Sequence, residues 1–180
     1  NPQFRVDTIS LSGVGPDGMN NSFVVAIGDV NNDGLIDLFV TKGNVEAQAD
    51  YAANDPNNLL LGRPDGTFAE AGVGAGIATP ARSRGAAVVD LNLDGLLDIV
   101  VVNRRTQVEM WRNVGTGSAE APTAMGHWIA VRAEQPAPNT NAIGAWVEVR
   151  VGDRLITEEL TSGGGHASGS AGWLHVGIGN

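Results

Sequence analysis

Short runs of branched and aromatic apolar residues alternate along the chain with turns built from Gly, Asp and Asn. Residues 23–27, 38–41, 86–89 and 99–102 are such runs, and side chains that are stiff at χ1 or fill a pleated surface favour strands. No helix-length stretch sustains an apolar period of 3.6, so the pattern predicts an all-β protein. Residues 58–61 and 67–70 flank Arg63-Pro64-Asp65-Gly66, which places Pro and Gly where a tight turn wants them and predicts a further hairpin. Downstream, residues 127–131 and 144–151 alternate as strands, and Gly152-Asp153 is the two-residue turn of a hairpin that continues to Ile156. A Gly, Ser and Ala loop over 162–172 leads into a closing strand at 173–178.

An internal repeat organises the first part of the chain. Superposing Asp29 on Asp90, 61 residues apart, aligns residues 26–38 with 87–99, and each copy reads strand, acidic loop, strand. The second copy has a matching third strand at 108–111. Short strands recurring with a period near 60 residues are the rhythm of propeller blades. Residues 4–7 match the last strand of an earlier blade, so the chain is expected to begin inside a repeat and to supply an incomplete ring. It opens on Asn1-Pro2 without an initiator Met or a leader-like segment, as a processed or partial product would. Residues 115–126 turn to Gly, Ala, Ser, Thr and Pro and read as a linker. The expected organisation is therefore repeats over 1–114, a linker over 115–126 and a small β module over 127–180.

The chemistry sits in the repeated loop, Asp-x-Asn-x-Asp-Gly-x-x-Asp. A hard cation such as Ca²⁺ takes six to eight oxygen ligands, and a nine-residue turn can supply side-chain oxygens from positions 1, 3, 5 and 9 with a carbonyl from position 7. One site then comprises Asp29, Asn31, Asp33, Asp37 and the Leu35 carbonyl, and the other Asp90, Asn92, Asp94, Asp98 and the Leu96 carbonyl. Gly34 and Gly95 stand where the chain turns sharply. Ile36 with Leu38, and Leu97 with Ile99, are placed to anchor each loop to the core. An EF-hand is excluded because its twelfth position needs a Glu, whereas Val40 and Val101 stand there between strand-like flanks. The competing reading is an acidic turn without metal; repetition of every ligand position at one offset favours two calcium sites. Each empty loop would hold three mutually repelling carboxylates.

Composition narrows the function further. The 180 residues carry 11 basic and 20 acidic side chains, a formal charge of −9, and six of those carboxylates fall in the two loops. An acidic chain lacks the clustered Lys and Arg of a nucleic-acid interface. With no Cys, disulfide scaffolds, thiolate metal sites and Cys nucleophiles are excluded. No apolar run approaches the roughly 20 residues of a membrane helix. His166 near Ser162 and Ser168 could be imagined as a base and nucleophile, giving a hydrolase that uses His166 or leftover carboxylates as the alternative function. No orienting acid or nucleophile elbow accompanies it. His127 and His175 lie in strand patterns and read as packed or edge residues. Gly72, Gly74 and Gly76 lack the context of a dinucleotide loop, and Glu158 and Glu159, adjacent on a strand, face opposite sides. Asn20-Asn21-Ser22 is a formal glycosylation sequon. Two features point to a partner: Trp146, on the strand face opposite Ala145, Val147, Val149 and Val151, and the insertion at 43–56 that the second copy lacks.

The two loops, each following a strand and a small residue, resemble FG-GAP (VCBS-type) repeats, the calcium-loop blades of integrin-α-like propellers. Residues 127–132, Asn141-Ala142-Ile143-Gly144-Ala145, residues 161–165 and residues 174–179 resemble the ASPIC/UnbV domain. Their order resembles the C-terminal part of the cartilage-acidic-protein-like (CRTAC/ASPIC) family, whose members often carry an aromatic where this chain has His166. The resemblance implies propeller-type blades followed by a small β-sandwich or barrel-like domain and two bound Ca²⁺. It further implies a non-enzymatic, extracytoplasmic (secreted, periplasmic or cell-surface) module that binds protein partners or serves as a scaffold; the incomplete ring adds the option of an accessory subunit docked on a larger extracytoplasmic or membrane-associated assembly.

Overall fold

Among the described residues there are eleven strands, every pairing between them is antiparallel, and no helix occurs. The structure, a computed structural model, describes residues 22–43, 55–163, 169 and 172–180. The expected strand at 4–7, the sequon residues Asn20 and Asn21, most of the 43–56 insertion, and His166 lie outside the described residues.

The first sheet has the order β1 (Ser22–Gly28), β2 (Asp37–Lys42), β3 (Asn58–Gly62), β4 (Phe68–Glu70). The second has the order β5 (Ser83–Val89), β6 (Asp98–Asn103), β7 (Glu109–Trp111). The sequence repeat is also a repeat of register. Ile27 pairs with Leu38 and Leu38 with Leu60 in one sheet, while Val88 pairs with Ile99 and Ile99 with Trp111 in the other. These are propeller-type blades, and they meet face to face: Val30, Phe39 and Leu59 of the first unit share a buried cluster with Ala86, Leu97, Ile99 and Val101 of the second, joined by Ile77. Each Val, Leu, Ile or Phe side chain so removed from water contributes roughly 1.5–3 kcal/mol. The expected anchoring holds for Leu38, Leu97 and Ile99, whereas Ile36 is 60% exposed. The reason is the order of the units. Leu97 lies on the side of its loop that faces the first sheet, while Ile36, its counterpart, lies on the side turned away from the second.

Beyond β7 the segment 115–126 closes on itself: Gly115 bridges Thr123, and Thr123 N–H donates to the Val114 carbonyl at 3.0 Å. The terminal part consists of two separate ribbons, β8 (His127–Val131) with β11 (Leu174–Gly179), and β9 (Trp146–Val151) with β10 (Arg154–Glu159). No pairing among the described residues joins them into a closed barrel. The β9–β10 hairpin turns at Gly152-Asp153, with Val151 paired to Arg154. Alternation then leaves Trp146 65% exposed, and puts Arg154 and Glu158 on the opposite, half-buried face.

Candidate cation loops

Both acidic loops link the first strand of a sheet to the second, and both are held by the same hydrogen bonds. In the first, Asp29 accepts from Asp33 N–H at 3.1 Å and Gly34 N–H at 2.7 Å, and Asp33 accepts from Leu35 N–H at 2.7 Å and Asn31 Nδ2 at 2.9 Å. In the second, Asp90 accepts from Asp94 N–H at 3.2 Å and Gly95 N–H at 2.8 Å, and Asp94 accepts from Leu96 N–H at 3.0 Å and Asn92 Nδ2 at 2.7 Å. Gly34 and Gly95 take φ of 81° and 86°, a left-handed turn that most side chains resist. The ninth position clamps each loop to the end of the third strand of its sheet or to the residues just past it. Asp37 accepts from Val30 N–H at 2.9 Å and Gly62 N–H at 2.8 Å, and Asp98 from Leu91 N–H at 3.2 Å and Asn113 N–H at 2.8 Å.

Every carboxylate oxygen of the six aspartates thus accepts an amide proton. Amide donors do not cancel the cost of burial. Asp37 is 1% exposed, and burial, with the Asp29 and Asp33 charges adding, pushes its carboxyl up to about 6 against the pull of the Gly62 and Val30 amides. Burial likewise raises Asp29 and Asp98.

The donor set fits a hard cation. It is all oxygen, it carries three carboxylates per loop, and Asn31 and Asp33 line an open cleft of about 560 Å³. The loops are not closed around a point. Among the described residues no three His, Cys, Asp or Glu side chains converge as a ready-made cage, and Asn31 and Asn92 turn Nδ2, not Oδ1, toward the neighbouring aspartate. Ligation would separate those Asn–Asp pairs and leave the backbone scaffold in place.

Sequence reading missed the residues that join the loops to their surroundings. Asn32 is fully buried; its Nδ2 donates to the Gly95 carbonyl at 2.9 Å, and its Oδ1 therefore accepts from His175 Nε2 at 2.7 Å. Asn113 Nδ2 donates to the carbonyls of Val30 at 2.8 Å and Leu97 at 3.2 Å, one from each loop. From the terminal ribbons, Arg154 donates to the Asp33 carbonyl at 3.1 Å and the Ile178 carbonyl at 2.9 Å, and Gly179 N–H to the Asn32 carbonyl at 3.0 Å. Trp128 stacks on His175 with ring centroids 5.4 Å apart, and a Cβ on Gly95 would strike that indole. Gly177 lies so close to the first loop that a Cβ there would strike the Asp29 carboxylate. Glu158 faces the same loop, its carboxyl raised by burial and then by the Asp29 charge. The one signal for this in the sequence was Asn32 at a repeat position where the other copy has Leu93.

Residues 29–101 match the family model of the FG-GAP-like repeat, and residues 135–180 match that of ASPIC and UnbV. A 51-residue stretch is 47% identical to cartilage acidic protein 1 of Homo sapiens; it covers 28% of this chain and 8% of that protein.

Proposed function

We propose that this chain, which belongs to the proteins joining FG-GAP-like repeats to an ASPIC and UnbV domain, is a calcium-stabilised structural and protein-interaction module that works outside the cytoplasm and is not an enzyme. The observation that carries the reading is the duplication of a complete oxygen donor set on an identical hydrogen-bonded scaffold, at Asp29, Asn31, Asp33, Leu35 and Asp37 and again at Asp90, Asn92, Asp94, Leu96 and Asp98. A lone acidic turn would need no such repetition. Ca²⁺ bound there would neutralise the carboxylates of each loop and tie the strand entering it to the strand leaving it. This chain's own contribution is to hold Asp37 and Asp98 by paired amides, one from the start of the loop and one from the end of the third strand or just past it, so that the ninth ligand is fixed before an ion arrives.

The location rests on the likeness to cartilage acidic protein 1 and on the millimolar calcium that weak extracellular sites require. No helix among the described residues is long and apolar enough to cross a membrane. For the protein partner, the exposed Trp146 beside Glu148 and Arg150 supplies an aromatic anchor with a polar rim.

Titration calorimetry and thermal unfolding test the reading. At ~1 mM Ca²⁺ and a Kd of ~0.1 mM, each site adds roughly 1.4 kcal/mol. Asp33→Asn and Asp94→Asn are expected to remove one site each. A melting temperature that is the same in excess Ca²⁺ and in chelator, with no binding heat, overturns it.

A further inference from the structure

We propose that the terminal β module caps the first cation loop, and that docking of this cap and filling of that loop are thermodynamically linked, so that two loops with the same donor sequence act as two different sites. The inference rests on reading the loops as calcium sites and adds a partner to one of them.

Equivalent positions differ in cover. Val30 and Asn32 of the first loop are 7% and 0% exposed, whereas their counterparts Leu91 and Leu93 are 48% and 72% exposed. The cap reaches the first loop at two backbone carbonyls and one carboxylate. Arg154 holds the Asp33 carbonyl, Gly179 N–H holds the Asn32 carbonyl, and Gly177 lies against Asp29. His175 adds a side-chain contact at Asn32.

The linkage is carried by one peptide unit. The Asp33–Gly34 peptide donates its N–H to Asp29 Oδ2 and gives its carbonyl to Arg154, so the same rigid plane orients a cation ligand at one end and holds the cap at the other. Arg154 in turn uses its second nitrogen on Ile178 in β11, which binds the β9–β10 ribbon, β11 and the loop together. A backbone fixed in this way loses less freedom when an ion binds. In the second loop Gly95 N–H also holds Asp90, but among the described contacts no guanidinium fixes the Asp94 carbonyl. Arg112 stands instead at 3.6 Å from the Asp94 carboxylate and competes with a cation for it. The first loop should therefore bind Ca²⁺ more tightly, and Arg154 acts as its positioning residue.

The test uses the full chain carrying one loop at a time: Asp94→Asn leaves the first loop, Asp33→Asn the second. Calcium titration of each is repeated with Arg154→Met and with Arg154→Lys, which keeps the charge but not the fork between two carbonyls. We expect both Arg154 variants to weaken the first loop about 5- to 10-fold, a typical coupling, and to change the second less than twofold. Reciprocally, Ca²⁺ should slow hydrogen exchange at the Gly179 amide in Asp94→Asn and leave it unchanged in Asp33→Asn. If Arg154→Met does not fold, as its circular dichroism would reveal, Arg154→Lys and the exchange measurement decide. Equal effects on both loops, or none on the first, overturn the linkage while calcium binding stands. Absence of calcium binding in both single-loop chains overturns the calcium reading and the linkage together.

Discussion

Asn32 and Leu93 occupy the same position of the two repeats and share a left-handed backbone, with φ of 58° and 60°, yet the first is fully buried and the second 72% exposed. The loop imposes that conformation in both copies. Asn accepts it readily, whereas Leu carries a Cβ clash that costs roughly 1–2 kcal/mol. Only Asn32 gains in return, because its amide spans the second loop at Gly95 and the terminal module at His175.

The substitutions Leu93→Asn and Asn32→Leu should therefore act in opposite directions. Leu93→Asn relieves strain and gives up little burial, and should stabilise by about 0.5–1 kcal/mol. Asn32→Leu leaves the Gly95 carbonyl and His175 Nε2 without partners in a buried place and should cost about 2–4 kcal/mol. Urea unfolding reads both as shifts of the midpoint at constant slope. Equal shifts in the two variants would show that the loops are equivalent after all.

A second contrast follows from the register of the sheets. Leu59 pairs with Phe39 and Met110 with Val100, so Leu59 and Met110 are counterparts, but Leu59 is 6% exposed between the sheets and Met110 is 67% exposed on the outer face of the second. Leu59→Ala should cost about 2–4 kcal/mol by opening a cavity, and Met110→Ala less than about 1 kcal/mol. A large loss from Met110→Ala, measured at micromolar protein with sedimentation run alongside, would mean that another surface covers that face.

The strands were legible because each is short, rich in branched residues and bounded by turn residues; the repeat follows from the spacing of its acidic loop, the hairpin from the Gly152-Asp153 turn, and the strand face that Trp146 occupies from alternation. The duplicated acidic loop and its left-handed glycine were legible from spacing. What spacing could not convey is contact between distant segments. Nothing near Arg154 in sequence points to a carbonyl 121 residues away, and His175 reads as an ordinary strand residue until Asn32 is seen beneath it. Ile36 misled for a related reason: a loop's apolar flank is buried only where a second sheet covers it, and that depends on which side of the stack the repeat occupies.

The pH dependence of stability tests the electrostatics of the first loop. Without calcium, burial raises Asp37 from 3.8 to about 6, so between those values the folded chain holds a proton that the unfolded chain has released. Stability then falls as pH rises through this window and stays lower above it, by an amount on the order of 3 kcal/mol. Asp29, Asp98 and Glu158, also raised, act in the same direction. His175 opposes them, because burial lowers its pKa and the stability it contributes above pH 6.5 is lost on acidification. His175→Gln removes the opposing group while retaining an N–H for Asn32. In chelator, the melting temperature of His175→Gln should fall as pH rises from 4.5 to 6.5. Calcium requires the ionised carboxylates, so its own stabilising shift should grow across the same range. A His175→Gln protein that becomes more stable with rising pH in chelator would mean that Asp37 is ionised without cost, and the loop would then lack the unmet charge that an ion is expected to relieve.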